Sequence, residues 1–479
     1  MRKLLFALAI VSASTVLGLG ARQPPSRKVW IFFESHEPNA SGVRALTEAE
    51  SRLAPRARAR RALRGRVPRS ADVQVDPRHL AELRRAGIRP LSESRWLNAV
   101  SAELTREQVA LLRSAPYVRA VRPVARARLV PPHVLDAPPG RFGWVSESGL
   151  DYGLSSNQNL LINVPAVHEL GLHGEGVVIG MLDTGFRFRQ HEAFAEIRVI
   201  AERDFIHGDD STENEPDKGD VPSQDSHGTE TLAVAGGYRP GKLVGPAFRA
   251  TFVLAKTEWV PDETHVEEDN WVAGLEWLES MGADVVSSSL GYFSGFSDGN
   301  DYSFGDLDGR TAITSRAAEM AAARGVVIVN SAGNSGAPLV PGVGTLGTPA
   351  DSAFVVAVGA LFPSGTLASF SSRGPTADGR IKPDVMAQGA AVATVGPSSR
   401  DVYLYLNGTS FSCPQVAAVA ALVLQAHPRL SPDAVLEALR ATADRAASPD
   451  NDFGWGTVDA LSAVFYYGAP EGARSERDR

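Results

Sequence analysis

Between residues 152 and 465 the chain carries short runs that are apolar without interruption, at 177–182, 251–255, 283–286, 326–329 and 354–358. Alternating runs mark strands with one wet face, whereas continuous ones mark strands covered on both faces. Helix-forming stretches at 271–281 and 312–324 separate some of them. Strand, helix and strand in repetition build an α/β fold: a doubly wound, mostly parallel sheet with helices on both faces. In such sheets chemistry gathers at the carboxyl ends of the strands.

Polar residues follow these runs in a telling order. The first run ends in Asp183-Thr184-Gly185. A carboxylate at a buried strand end needs a partner, because an unpaired one is expensive. Asp225-Ser226-His227-Gly228-Thr229 opens a helix of small residues, and the run at 326–329 leads into Asn330-Ser331-Ala332-Gly333-Asn334. Last comes Asn407-Gly408-Thr409-Ser410-Phe411-Ser412-Cys413-Pro414, before an almost wholly apolar helix at 415–426. Ser410 is thus expected at a helix amino terminus, with Pro414 tolerated in the first turn. Each motif alone has a structural explanation: a turn, a packed His, a helix cap. Taken together they supply a nucleophile, a base to take its proton, a carboxylate to hold the base, and an amide donor for an oxyanion.

On these residues the chain resembles the subtilisin-like serine proteases (subtilases, peptidase family S8). "GMLDTGF" is similar to the family's aspartate block, "SHGTETLAVAGG" to its histidine block, "NSAGN" to its oxyanion block and "NGTSFSCPQVAAVAALV" to its serine block. "SSSLGY" and "GWGTVDA" resemble its substrate edge and closing segment. The resemblance implies a serine endopeptidase acting through an acyl-enzyme, with Ser410 as nucleophile, His227 as general base and Asp183 as its orienting carboxylate. It implies that Asn334 and the Ser410 N–H stabilise the oxyanion. Ser289, Leu290 and Gly291 would pair with the substrate main chain, and Ser331, Ala332 and Gly333 would form the other wall of the pocket. No cofactor is required for this chemistry. Loops of the family often bind calcium, and residues 204–220 are rich in Asp and Glu; without regular ligand spacing they read as a solvated acidic loop, as do residues 262–269. Glu230 departs from commoner members of the family. It is expected either to perturb His227 or to point to solvent.

Charge divides the chain. Residues 21–130 hold 23 Lys and Arg against 10 Asp and Glu, whereas residues 131–479 hold 23 against 45. An Arg-rich arm for nucleic acid is the competing reading, but apolar periodicity marks a folded α+β unit, and no nucleic-acid partner is expected. The unit has strands expected at 28–33, 95–103 and 117–124 and helical composition at 46–64 and 104–113. It resembles the family's inhibitory propeptide, which implies an intramolecular partner, and opposite charge would favour its docking. Residues 1–20 read as a signal peptide: a positive start, then an apolar run too short and too rich in Ser, Thr and Gly for a membrane anchor. An exported protein, extracellular or periplasmic and without a membrane anchor when mature, is expected. Residues 131–151, rich in Pro, are a flexible linker holding the processing site; residues 152–465 are the peptidase domain and 466–479 a polar tail. Protein or peptide substrates are expected.

Two competing readings remain at this point. One is a catalytically silent binding protein on the subtilase fold. The other is an esterase using Ser297 of Gly295-Phe296-Ser297-Asp298-Gly299, which lacks the strand before it and helix after it that such an elbow needs. Cys413 reads as a small buried side chain, with some sensitivity to thiol reagents. As the single Cys, it excludes a disulfide framework and a Cys-based zinc site.

Overall fold

The computed structural model describes residues 26–34, 42–124, 126–127, 134–135, 145–260, 266–292 and 302–471. The expected signal peptide, the Ser297 motif and the last eight residues lie outside these segments.

The amino-terminal unit runs β1 (Arg27–Phe33), α1 (Val43–Ser51), α2 (Pro55–Leu63), α3 (Pro77–Arg85), β2 (Glu93–Ser94), β3 (Ala99–Leu104), α4 (Arg106–Arg113) and β4 (Val118–Pro123). Its antiparallel sheet has the order β2-β3-β1-β4. The helical composition at 46–64 resolves into two helices rather than one. Pro55 has no N–H to give and starts α2, and Ala54 before it is extended and donates its own N–H to Ser280 O at 2.9 Å. Helix α4 begins where expected, with Thr105 and Gln108 forming a capping box.

Alternation along β1 explains how this unit is placed. Val29, Ile31 and Phe33 point into its own core with Leu83, Val109 and Leu112. Trp30 and Phe32 point the other way and share a core with Trp271, Leu275, Leu278 and Ile313 of the second unit. The two units are therefore docked through a common apolar layer, not loosely tethered. Two short strands follow, β5 (Arg126–Ala127) and β6 (Val134–Leu135).

The second unit opens with α5 (Ser156–Leu161) and α6 (Val164–His168), then β7 (Val178–Asp183), β8 (Arg198–Asp204), α7 (Ser226–Gly236), β9 (Tyr238–Arg239), β10 (Leu243–Val244), β11 (Thr251–Lys256) and β12 (Val266–Glu267). It continues through α8 (Glu268–Met281), β13 (Val285–Ser288), α9 (Ile313–Ala323), β14 (Val327–Ser331), β15 (Val355–Leu361), β16 (Val385–Gln388), β17 (Val392–Val395) and β18 (Tyr403–Leu406). Three helices close it: α10 (Thr409–Ala426), α11 (Pro432–Ala441) and α12 (Ala460–Phe465). The central sheet has the order β16-β15-β14-β13-β7-β11-β8, and every pairing in it is parallel. Helices α7, α10, α11 and α12 cover one face and α8 and α9 the other.

Each continuous apolar run became a buried strand. Helix α10 is long and apolar enough to cross a membrane, yet 94% of it is buried inside the fold, where it serves as the core helix. After α12, the Tyr466 and Tyr467 hydroxyls bond to Glu437, so the first residues of the expected tail pack on α11.

Candidate active site

Asp183 is the last residue of β7 and wholly buried. His227 is the second residue of α7. Its Nδ1 lies 2.6 Å from Asp183 Oδ1. The carboxylate can only accept, so Nδ1 carries the proton and Nε2 is left as the base. Thr231 Oγ1 donates to Asp183 Oδ2 at 3.0 Å and the Thr184 N–H to Oδ1 at 2.8 Å, which satisfies the buried carboxylate. Helix α7 can come this close because of Gly228, where a Cβ would sit 2.1 Å from Gly185 O. Burial alone would lower the His227 pKa; the charge and hydrogen bond of Asp183 outweigh it, and the net shift is upward.

Ser410 is the second residue of α10, so its N–H is among those without an intrahelical partner. Pro414 is the sixth residue of α10, beyond the first turn in which a proline is easily tolerated. Having no N–H, it leaves the carbonyl of Ser410 free, and Ser289 Oγ donates to that carbonyl at 2.8 Å. In return Ser410 Oγ donates to Ser289 O at 3.3 Å. Among the described residues no hydrogen bond joins Ser410 Oγ to His227; the hydroxyl rests on Ser289 O instead. Such catalytic contacts commonly tighten only once substrate is bound.

Asn334 is exposed to the cleft, yet its orientation is set. Its Oδ1 accepts from Thr409 N at 2.9 Å and from Thr409 Oγ1 at 3.0 Å. Thr409 Oγ1 itself accepts from Gly333 N at 3.2 Å. With its oxygen held, the amide turns its Nδ2 donors outward. Gly333, at φ +112°, also leaves no space for a side chain, because a Cβ would meet Ser372 Oγ at 2.8 Å.

The two expected pocket walls stand side by side. Ser289 and Leu290 follow β13; Ser331 ends β14, and Ala332 and Gly333 follow it. Asn330, between them, donates from Nδ2 to Leu290 O at 2.8 Å and to Ser331 O at 2.9 Å. This linking role was not foreseen from the sequence. Gly291 is exposed, whereas Tyr292 beyond it is already paired with Thr348 through both main-chain groups.

A second edge escaped the sequence reading. Strand β12 pairs antiparallel with β5 of the amino-terminal tail, Val266 opposite Ala127 and Glu267 opposite Arg126. Strand β6 pairs with β18, the strand that leads to Ser410. Pairing of this kind is main-chain recognition and leaves no side-chain signature to read.

Several sequence expectations need correction. Glu230 does not point to solvent: it is buried, and its Oε2 has no hydrogen-bond partner among the described residues. Burial pushes its carboxyl up to about 8, against the pull of His227. The acidic loop at 204–220 is not simply solvated. Lys256 Nζ, wholly buried, lies 2.8 Å from Asp204 Oδ2 and 2.6 Å from Asp220 Oδ2. Asp204, Asp209 and Glu215 bring ligand atoms within 4.8 Å of one another, but Lys218 bonds both Asp209 and Glu215. Two lysines thus meet from within the charge a calcium ion would neutralise. Glu268 and Asp269 are also buried, bonded to Trp30 Nε1 and Ser101 Oγ of the amino-terminal unit. Cys413 is sealed under the sheet, and burial pushes its thiol up to about 12, which removes the thiolate that reagents need.

Comparison with known proteins agrees with this architecture. The family model described as "Subtilase family" matches residues 174–456, and one described as "Peptidase S8 propeptide domain, Bacteroidota" matches residues 28–133. The serine protease AprX of Bacillus subtilis is 32% identical over 316 residues, 61% of this chain and 67% of its own. Subtilisin DY of Bacillus licheniformis is 32% identical over 59% of this chain and 89% of its own, and Subtilisin Savinase of Lederbergia lenta 30% over 63% and 96%. The crystal structure of fervidolysin from Fervidobacterium pennivorans, a keratinolytic enzyme related to subtilisin, superimposes with a TM-score of 0.63 at 20% identity. That match covers 95% of this chain and 63% of fervidolysin, and shows the shared fold. The chain belongs to the subtilase family of serine proteases and carries the family's propeptide domain ahead of its peptidase domain.

Proposed function

We propose that this chain is an exported serine endopeptidase, made as a zymogen that processes itself, with Asp183, His227 and Ser410 as its triad. The observation that carries the reading is the 2.6 Å contact between His227 Nδ1 and Asp183 at the carboxyl end of the sheet, beside the α10 amino terminus that holds Ser410. His227 takes the Ser410 proton as Oγ leaves Ser289 O and attacks the substrate carbonyl. The oxyanion receives the Ser410 N–H and an Asn334 Nδ2 hydrogen. His227 then protonates the leaving amine, and water repeats the sequence on the acyl-enzyme. Losing an amide donor of this kind costs about 2.7–4 kcal/mol of barrier, a range set in subtilisin itself.

Residues 21–130 act in this reading as the inhibitor in cis, with peptides and proteins as substrates afterwards. The tail lies along β12 through β5 and along β18 through β6, so the maturation cut falls between Ala127 and Val134. Residues 1–20 direct export, to the periplasm or the extracellular space. The test is the intact mass of the exported protein, wild type beside Ser410→Ala. Wild type should lose everything up to the 127–134 interval and the variant only its first ~20 residues, the usual length of a signal peptide. If both keep the basic segment and a serine-directed covalent probe fails to label wild type, the triad is silent and the protein is a binding module.

A further inference from the structure

Helices α1 and α2 and the turn after them form an arm that reaches away from the cleft. Asp183 ends β7, Ser289 follows β13 and Ser331 ends β14, so the candidate site lies at the carboxyl ends of these strands. Helix α2 touches the residues that precede those same strands. Arg56 Nη2 donates to Gly176 O at 2.7 Å, Arg60 to Ala283 O, and Arg64 to Gly325 O. The strands between are four to six residues long, so the arm sits roughly 13–20 Å from the chemistry.

This contact is built from buried charge. Arg56 and Arg60 share one face of α2, and Arg64, its C-cap residue, continues the same four-residue spacing. Glu279, wholly buried near the end of α8, receives Arg60 and, at 2.8 Å through each of its oxygens, Arg61. Asp284 receives Arg56 and, at 3.0 Å, Arg64. One pair runs the other way, from Arg324 of the peptidase domain to Asp72 of the arm at 2.7 Å. The surfaces are in contact at backbone level too: a Cβ on Gly282 would lie 3.0 Å from Ala57 N.

We propose that the amino ends of β7, β13 and β14, with Glu279 and Asp284, form a second docking site for the propeptide's arginine helix. This site keeps the propeptide seated after the junction is cut. The inference rests on reading residues 21–130 as the inhibitor. A tail held only in the cleft would be released by one dissociation step. With the apolar layer around Trp30 and Phe32, the strand pairing of the tail and the arm all carried by one folded unit, rebinding at each is intramolecular, and the arm adds a contact that slows release of the cut propeptide. Truncating one member of a buried, hydrogen-bonded charge pair strands the other and acts mainly on the dissociation rate.

The test uses the full chain carrying Ser410→Ala, with a recognition sequence for an unrelated protease placed between residues 128 and 133. After cutting with that protease, separation of the two fragments is followed by gel filtration and native mass spectrometry. The parent fragments should stay together, Arg60→Ala with Arg64→Ala should part at least about tenfold faster, and Arg52→Ala, which removes an exposed pair with Glu48, should behave as the parent. Parting of the double variant at the parental rate overturns the proposal, as does immediate parting of the parent. If the double variant does not fold, Arg56→Ala, at the partly exposed rim, serves instead and should speed separation about threefold; no change there overturns the proposal equally. Because the cut is made by an added enzyme, a chain that fails to process itself would sink the reading of self-maturation and leave this result intact.

Discussion

Glu230 lies one helical turn beyond His227 with a buried, unpartnered carboxyl oxygen, and this placement sets how the site should respond to pH. Held near 8, the group is protonated at neutrality and adds a negative charge beside the imidazole only in alkali. That charge stabilises the imidazolium that forms as Ser410 attacks, so kcat/KM in wild type should keep rising beyond pH 8. Glu230→Gln mimics the protonated form. It should match wild type within about twofold at pH 6–7 and level off above pH 8, because a single ionisation near the base governs the difference. Stability should respond with the opposite sense. Unfolding returns the carboxyl to its ordinary range near 4.5, so between about 4.5 and 8 the folded state holds the extra proton and wild type loses stability as pH rises. The Gln variant should therefore melt with wild type at pH 5 and above it at pH 9. Identical pH–rate and pH–melting curves for the two proteins would show that Glu230 does not act on His227.

At the scale of elements, the amino end of α10 does most of the arranging. Thr409 fixes Asn334 from both its N–H and its hydroxyl, Ser410 presents the hydroxyl proposed as nucleophile, and Pro414 frees the carbonyl that Ser289 clasps. Thr409→Val keeps the shape and the N–H bond but removes the hydroxyl that joins Asn334 Oδ1 to Gly333 N. With the amide less firmly aimed, kcat should fall about tenfold while KM changes less than twofold, since the donor acts on the oxyanion and not on bound substrate. An equal rise in KM would place the role of Thr409 in binding. This helix also shows how much of the site was legible in advance. The apolar run after Ser410 announced a buried helix, and the ordered Asp, His, Asn and Ser announced their chemistry, because local composition carries both. The break at Pro55 could be read from the proline itself; the linking amide of Asn330 and the β12 edge were not legible. They depend on which distant main-chain groups are left over once the sheet is assembled. Glu268 and Asp269 looked like solvated charge for the same reason, as Trp30 and Ser101, which donate to them, lie 238 and 168 residues away in sequence.

The docking of the two domains follows from that last point and gives the molecule its own response to pH. The propeptide covers Glu276 of α8, where Ser94 Oγ and, at 3.3 Å, Trp96 N donate to the carboxylate. Burial pushes Glu276 up to about 7, against the counter-pull of Arg95, the Ser94 and Trp96 hydrogen bonds and Arg324. Its neighbour Glu279 is also opposed by burial, but Arg60 and Arg61 hold it below the usual carboxylate range, so it stays ionised throughout. Burial brings Arg64 down to about 10 against Asp284, which matters only in strong alkali. Between pH 5 and 7 Glu276 is therefore a group at this interface whose protonation changes, beside Glu93 of β2, which burial also pushes up. Once the propeptide leaves, Glu276 faces water and ionises near its ordinary 4.5, so docking takes up a proton in that window. The dissociation constant of the cut propeptide should accordingly rise by at least about tenfold from pH 5 to pH 7. Glu276→Gln, which keeps an acceptor for Ser94 and carries no charge, should flatten that slope while holding the propeptide tightly at both values. Equilibrium titration of the separated fragments at the two pH values decides it: an unchanged slope in the Gln variant would move the pH response elsewhere. Release favoured by neutral over acidic surroundings follows from one buried carboxyl where the propeptide packs on α8.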